Sequence, residues 1–394
     1  MSAIRPAVRP AAALAAAGLL AAAIAGCGSK PAASVSAPAG PARPAPLESS
    51  YADAAGTGWA IVPMGGSAAQ EENFWELFTR QPGAAKWREA TPEGVADNGG
   101  LVVTGSGGPA VLTGFLPSQD LTFSPLAATS DDGASWSPAG PVNPGLASSP
   151  DALASGPGGR LLALTSDGRV ELGTSSGTAW TRLATDTALA ATAAGKACGV
   201  TGLTAAAFGS AGAPMLAAGC GRPGVAGIFA ESGGAWHPAG PARTALPASL
   251  AREDIDVVRL AATSSGVVAL LRAGTGPDGT LTVAWSAAGG GPWTLSAPLR
   301  TGSRPLLSTA VGPGSAVGVI LSGGRAETLS GPGATGWRAL PALPKWAATL
   351  ALGPAGQADV VAAHGGTFQD YRLGSAGWTL AQTLRVTIPY GTSS

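Results

Sequence analysis

Gly133-Ala134-Ser135-Trp136-Ser137, Gly177-Thr178-Ala179-Trp180-Thr181, Gly233-Gly234-Ala235-Trp236-His237 and Gly290-Gly291-Pro292-Trp293-Thr294 repeat one local pattern: small turn residues, then an indole, then a polar or hydroxyl residue. Trp87 (after Ala84-Ala85-Lys86), Trp337 (after Ala334-Thr335-Gly336) and Trp378 (after Ser375-Ala376-Gly377) stand in the same setting. From Trp87 to Trp378 there are six intervals, each about 48 residues on average, which is the length of one four-stranded blade in a ring of small sheets. A lone sheet of that size leaves its faces and edges uncovered, and a closed ring covers them.

Reading outward from the indoles gives the strands. Asp256–Ala261, Val267–Arg272, Leu281–Ser286 and a fourth strand starting at Trp293 are short apolar runs, separated by Thr263-Ser264-Ser265-Gly266 and Gly276-Pro277-Asp278-Gly279. Leu306–Leu340 repeats the plan, and Leu161–Leu183 repeats its later half around the Asp167-Gly168 turn. Alanine-rich runs favour helix by propensity. Glycine interrupts them every few residues, so they too are read as strand and turn. The expected fold class is all-β: a β-propeller, with seven four-stranded blades at 51–92, 93–142, 143–188, 189–243, 244–300, 301–343 and 344–394. Six or eight blades stay open.

The N-terminus reads differently. Arg5 and Arg9 precede an uncharged stretch, Ala11–Ala25, too short for a comfortable span and typical of a secretory signal. Its end, Ile24-Ala25-Gly26-Cys27, resembles the bacterial lipobox. That resemblance implies cleavage after residue 26 and a covalent lipid on Cys27; a short uncleaved anchor or a plain secretory signal is the alternative. Residues 27–50 are rich in Ala, Pro, Ser and Gly, as linkers are. The expected organisation is a signal peptide at 1–26, a lipidated linker at 27–50 and a propeller domain at 51–394. The chain would be held on the extracytoplasmic face of the cell membrane, as a monomer.

Export bears on the two other cysteines. Cys198 and Cys220 are expected to pair in an oxidising compartment, with two free buried thiols as the alternative. Formal charge is zero, and charged residues are 12% of the chain. With no run of basic residues, nucleic-acid binding has no electrostatic basis in the sequence. The two histidines, His237 and His364, have no metal-ligand spacing, so no metal site is assigned. No cofactor is expected beyond the lipid on Cys27.

Thr129-Ser130-Asp131-Asp132-Gly133-Ala134-Ser135-Trp136 resembles the Asp-box, or BNR repeat, of sialidases, sortilin-type receptors and photosystem-assembly propellers. Thr129, Asp131, Gly133, Ser135 and Trp136 match its pattern, and the resemblance implies a structural turn. Ser286, Gly290 and Trp293 keep part of it. A sialidase would also show an Arg-Ile-Pro motif, three arginines for the substrate carboxylate and a Tyr nucleophile assisted by Glu; the Arg-Ile-Pro motif is absent. Tyr371, between Asp370 and Arg372, fits a solvent-facing strand equally well. Gly173-Thr174-Ser175-Ser176-Gly177 has the Gly-x-Ser-x-Gly form but lies at a repeat turn. No catalytic residue is assigned. Candidate binding residues are Phe74 and Trp75, beside Glu71 and Glu72, and Glu253, Asp254 and Asp256 at the entry to the fifth unit. Phe74 and Trp75 equally suit a buried strand, and both acidic groups suit solvated loops. The function expected is a membrane-tethered, non-catalytic binding or scaffold module for a protein or envelope glycan. A surface glycoside hydrolase of sialidase type is the alternative.

Overall fold

The computed structural model describes residues 48–52, 57–65, 74–92, 101–105, 111–115, 126–138, 150–165, 167–174, 180–274, 279–287, 289–334, 336–353, 357–364 and 366–386. All of them lie in one compact unit that begins at Gly40. The expected signal peptide, Cys27, the expected linker up to residue 47, Glu71 and Glu72 lie outside the described residues.

The described strands fall into successive four-stranded antiparallel blades. Blade 1 is Glu48–Ala52, Gly58–Gly65, Phe74–Arg80 and Arg88–Glu89; blade 2 is Leu101–Gly105, Val111–Phe115, Leu126–Thr129 and Ser137–Pro138. Blade 3 is Pro150–Gly156, Arg160–Thr165, Arg169–Thr174 and Trp180–Thr185; blade 4 is Val200–Phe208, Pro214–Cys220, Gly227–Ser232 and Ala235–Pro238. Blade 5 is Ile255–Thr263, Gly266–Ala273, Thr280–Ser286 and Thr294–Leu295, with Leu299–Arg300 added on the third strand. Blade 6 is Leu306–Val311, Val317–Leu321, Arg325–Leu329 and Arg338–Ala339; blade 7 is Ala347–Leu352, Ala358–His364, Thr367–Gly374 and Gly377–Arg385.

The middle strands are continuously apolar because both faces are covered. In Val267-Val268-Ala269-Leu270-Leu271, the odd positions enter the core shared with blade 4 and the even positions the core shared with blade 6. Alternation of side chains across a strand makes this division automatic. Blades 1 and 7 share a core of the same kind, with Ala60, Val62, Phe78 and Trp87 against Ala351, Val361, Phe368 and Val386. The rings of Phe78 and Phe368 lie 4.1 Å apart. Each such buried side chain stabilises by about 1.5–3 kcal/mol. The first and last blades therefore meet, and the ring closes.

Two features depart from the sequence reading. The alanine-rich stretch before blade 4 is helical: Asp186–Ala191 and Ala193–Cys198 are two short α-helices. Each has a threonine cap. Thr185 accepts from the Ala188 amide and Thr192 from the Gly195 amide, and Gly199 ends the second helix in the left-handed conformation at φ +68°. Caps at both threonines outweigh the glycine interruption that argued for strand. Secondly, ring closure does not leave the inner edges separate. Glu48–Tyr51 pairs in parallel with Ser308–Val311, so blades 1 and 6 join into one eight-stranded sheet.

Candidate functional site

Register divides the domain into two ends. First strands start, second strands end, third strands start and fourth strands end at one end of every blade, as Ala347↔Ala362, His364↔Thr367 and Thr367↔Arg385 show in blade 7. The indole-bearing turns lie between third and fourth strands, at the opposite end.

There four of the repeat tryptophans bind their blade to the one before it. Trp136 Nε1 donates to the Ala90 carbonyl at 2.7 Å, and Trp293 Nε1 to Ala239 at 2.7 Å. Trp337 donates to Ala297 at 3.0 Å and Trp378 to Pro341 at 3.3 Å. Each acceptor lies one or two residues past the last strand of the preceding blade. The indole supplies both apolar packing and one directed hydrogen bond, which is why Trp recurs there.

The Thr129–Trp136 turn carries the fullest version. The Gly133 amide donates to Thr129 Oγ1 at 2.8 Å, the Ser135 amide to Asp131 Oδ1 at 2.9 Å, and Ser135 Oγ to Asp131 Oδ2 at 2.6 Å. The side-chain and backbone bonds from Ser135, then the Thr129 hydroxyl, hold the Asp131 carboxyl down at about 2. Gly133 has φ +79°, and a Cβ there would stand 2.8 Å from Ala90 Cβ, so only glycine fits. Arg88 donates to the carbonyls of Asp132 and Gly133, docking the turn on blade 1. In blade 5, Ser286 Oγ accepts from Gly289 at 3.1 Å and from Gly290 at 3.4 Å, as Thr129 does. Asp131 is satisfied within its own turn, so these residues build structure and leave no group for a ligand.

Buried charge collects at the seam between blades 1 and 7. Arg80 pairs with Asp359, and its guanidinium lies 4.5 Å from the centre of the Trp87 ring. Arg372 donates to the Ala85 carbonyl, and its Nε lies 3.4 Å from Asp370. Burial first, and the negative Asp359 second, push the Asp370 carboxyl up to about 6 against the pull of Arg80 and Arg372. Gln382 completes the seam: it accepts from the Trp87 amide and donates to the Trp87 carbonyl, both at 2.7 Å. On this strand Asp370 points inward and is 0% exposed, while Tyr371 and Arg372 are half-buried. A carboxylate that attacks or protonates a glycoside must touch it. Two carboxylates beside two guanidiniums here hold blades together.

Among the described residues, the other sequence candidates do not converge. Phe74 and Trp75 open the third strand of blade 1; their side chains lie outside the described residues. Glu253 and Asp254 are exposed, while Asp256 pairs with Arg272 at 2.8 Å on the neighbouring strand. Among the described residues, no group of His, Cys, Asp or Glu could hold a metal ion. Cys198 and Cys220 form a disulfide with Cα atoms 5.0 Å apart, tying the second helix to blade 4. Among the described residues, no helix is long and apolar enough to cross a membrane.

No protein-family model and no curated protein matches the chain. Solved structures do. The β-propeller domain of Myceliophteria thermophila Cps50 (Swd1) is 10% identical with a TM-score of 0.50, over 80% of this chain and 93% of that one. The domain is a β-propeller. The propeller matches the GH74 xyloglucanase of Xanthomonas campestris at 17% identity and a TM-score of 0.52, over 83% of this chain and 52% of the enzyme, about half its length. YCF48 of Cyanidioschyzon merolae matches at 16% identity and a TM-score of 0.48, over 80% and 92%. At these identities the likeness is one of fold.

Sequence reasoning missed one exposed constellation, at the end opposite the indole turns. Trp346, before the first strand of blade 7, is 48% exposed and has φ +66°. Its ring stacks on His364 at 4.0 Å, and Lys345 Nζ lies 4.6 Å from its centre. Trp346 falls outside the repeat setting, and that mismatch was the available signal.

Proposed function

We propose that the chain is an extracytoplasmic lipoprotein anchored through Cys27, and that its propeller is a non-catalytic binding or scaffold module for a protein or an envelope glycan. One observation carries the binding half of this reading. Several buried carboxylates are engaged in ion pairs within or between blades, as Asp359 with Arg80, Glu171 with Arg182 and Glu327 with Arg325, while Trp346, Leu307 and Leu380 present large apolar side chains to solvent. Exposed aromatics of that kind mark contact surfaces. The sequence ending in Cys27 supports the anchor.

Two measurements test the reading. Palmitate labelling in a bacterial host should mark the parent chain and spare Cys27→Ala. Affinity capture from the native envelope should retain one stoichiometric partner, and a panel of sialyl, xyloglucan and other glycosides should remain intact. Clear turnover of any glycoside would replace this reading with the hydrolase alternative.

A further inference from the structure

We propose that the end of blades 6 and 7 displaying Trp346 and Leu307 lies against an anionic lipid bilayer. The proposal rests on the membrane-anchored reading above and adds where, and by which chemistry, the propeller meets the membrane.

Leu307 is 43% exposed near the start of the first strand of blade 6, and Trp346 is 48% exposed just before the first strand of blade 7. Register puts both at the same end of adjacent blades. Trp346 adopts φ +66°, a region that bulky side chains rarely occupy. The His364 ring against one face braces the indole in this outward position. An indole at a membrane interface keeps its apolar body among acyl chains and its N–H near water and headgroups.

Charge at this end of the two blades is of one sign. The segments 301–307, 321–325, 340–347, 363–364, 366–367 and 384–386 contain Arg304, Arg325, Lys345 and Arg385, with His364 and no acid. Arg304, Lys345 and Arg385 are exposed; Arg325 pairs with Glu327. They are scattered between positions 304 and 385 of the chain, so no basic run exists in the sequence. The acids at this end belong to the flanking blades, Glu253 and Asp254 to blade 5 and Glu48, paired with Ser308, to blade 1.

Chain connectivity supplies the third argument. The parallel register Glu48↔Ser308 brings the first strand in beside Leu307. Cys27 lies 21 positions before Glu48, a reach of at most about 70 Å. The proposed lipid and the apolar, basic end can therefore engage one bilayer, which adds weak surface binding to acyl insertion.

The test separates the patch from the anchor. Full-length Cys27→Ala chain is sedimented with vesicles of phosphatidylcholine and with vesicles that also contain phosphatidylglycerol. Binding should require the anionic lipid and weaken with salt. In that background, Lys345→Glu should lower the partition coefficient by at least about fivefold. Trp346→Gly, which fits φ +66° without strain, should also lower it while leaving the urea midpoint unchanged or higher. Equal binding by parent and variants, or no binding by the parent, overturns the proposal and leaves this end to a protein or glycan. Palmitate labelling of Cys27 reads the anchor independently, so failure of one reading is distinguishable from failure of the other.

Discussion

Gln382→Ala should weaken the whole domain far more than a strand substitution usually does. Gln382 bonds both the amide and the carbonyl of Trp87 at 2.7 Å, and both bonds are buried. Truncation leaves two buried backbone groups without partners, at about 1–3 kcal/mol each. The effect falls on the seam where the first and last blades meet. Every other neighbouring pair is consecutive in the chain; this one is held by side chains and by the pairing of Glu48–Tyr51 with blade 6. A loss of about 3 kcal/mol, with a urea slope near 3 kcal/mol/M, lowers the midpoint by about 1 M. The assay is urea unfolding followed by tryptophan fluorescence, with the exposed neighbour Thr383→Ala as control, expected to stay within about 0.5 kcal/mol of the parent. If the two variants unfold at the same midpoint, the seam does not hold the ring as argued.

Three further outcomes are expected. Asp370 titrates near 6 when folded against 3.8 as a free side chain, so its stabilising contribution is present below pH 4 and lost as pH rises through 6. Asp370→Asn should gain on the parent between pH 4.5 and pH 7.5 by roughly 2 kcal/mol, read as urea midpoints, and a parent that gains on the variant instead refutes this account. Trp136→Phe removes the bond to Ala90 and shrinks the ring that makes the edge-on contact with Trp59 at 6.3 Å. It should lower stability by about 1–2 kcal/mol, and an unchanged thermal midpoint would show the indole N–H to be idle. Replacing Cys198 and Cys220 by alanine opens a loop with a separation of 22, worth about 3 kcal/mol in the chain-entropy account. Faster hydrogen exchange in residues 186–200 would report the loss, and unaltered exchange would count against it.

The blades were legible because their signals are local. Turn residues such as Asp167-Gly168 and the spaced indoles need only a few neighbours to declare a hairpin, and the observed strands at 255–295 and 306–339 fall where those signals place them. The helices at 186–198 were misread because their caps, Thr185 and Thr192, act through side-chain bonds that a composition argument overlooks. The seam was illegible for a different reason. Arg80 and Asp359 are 279 positions apart, and nothing near either residue in the chain shows that the other exists.

Sequence by itself determined the repeating unit and its all-β character, since both depend on spacing along the chain. Only the tertiary structure decided which carboxylates are buried, how the last blade closes on the first, and which end gathers exposed apolar and basic groups. Those properties arise when residues far apart in the chain share one dielectric environment, and burial, more than residue type, sets whether a charge pairs, titrates or faces water.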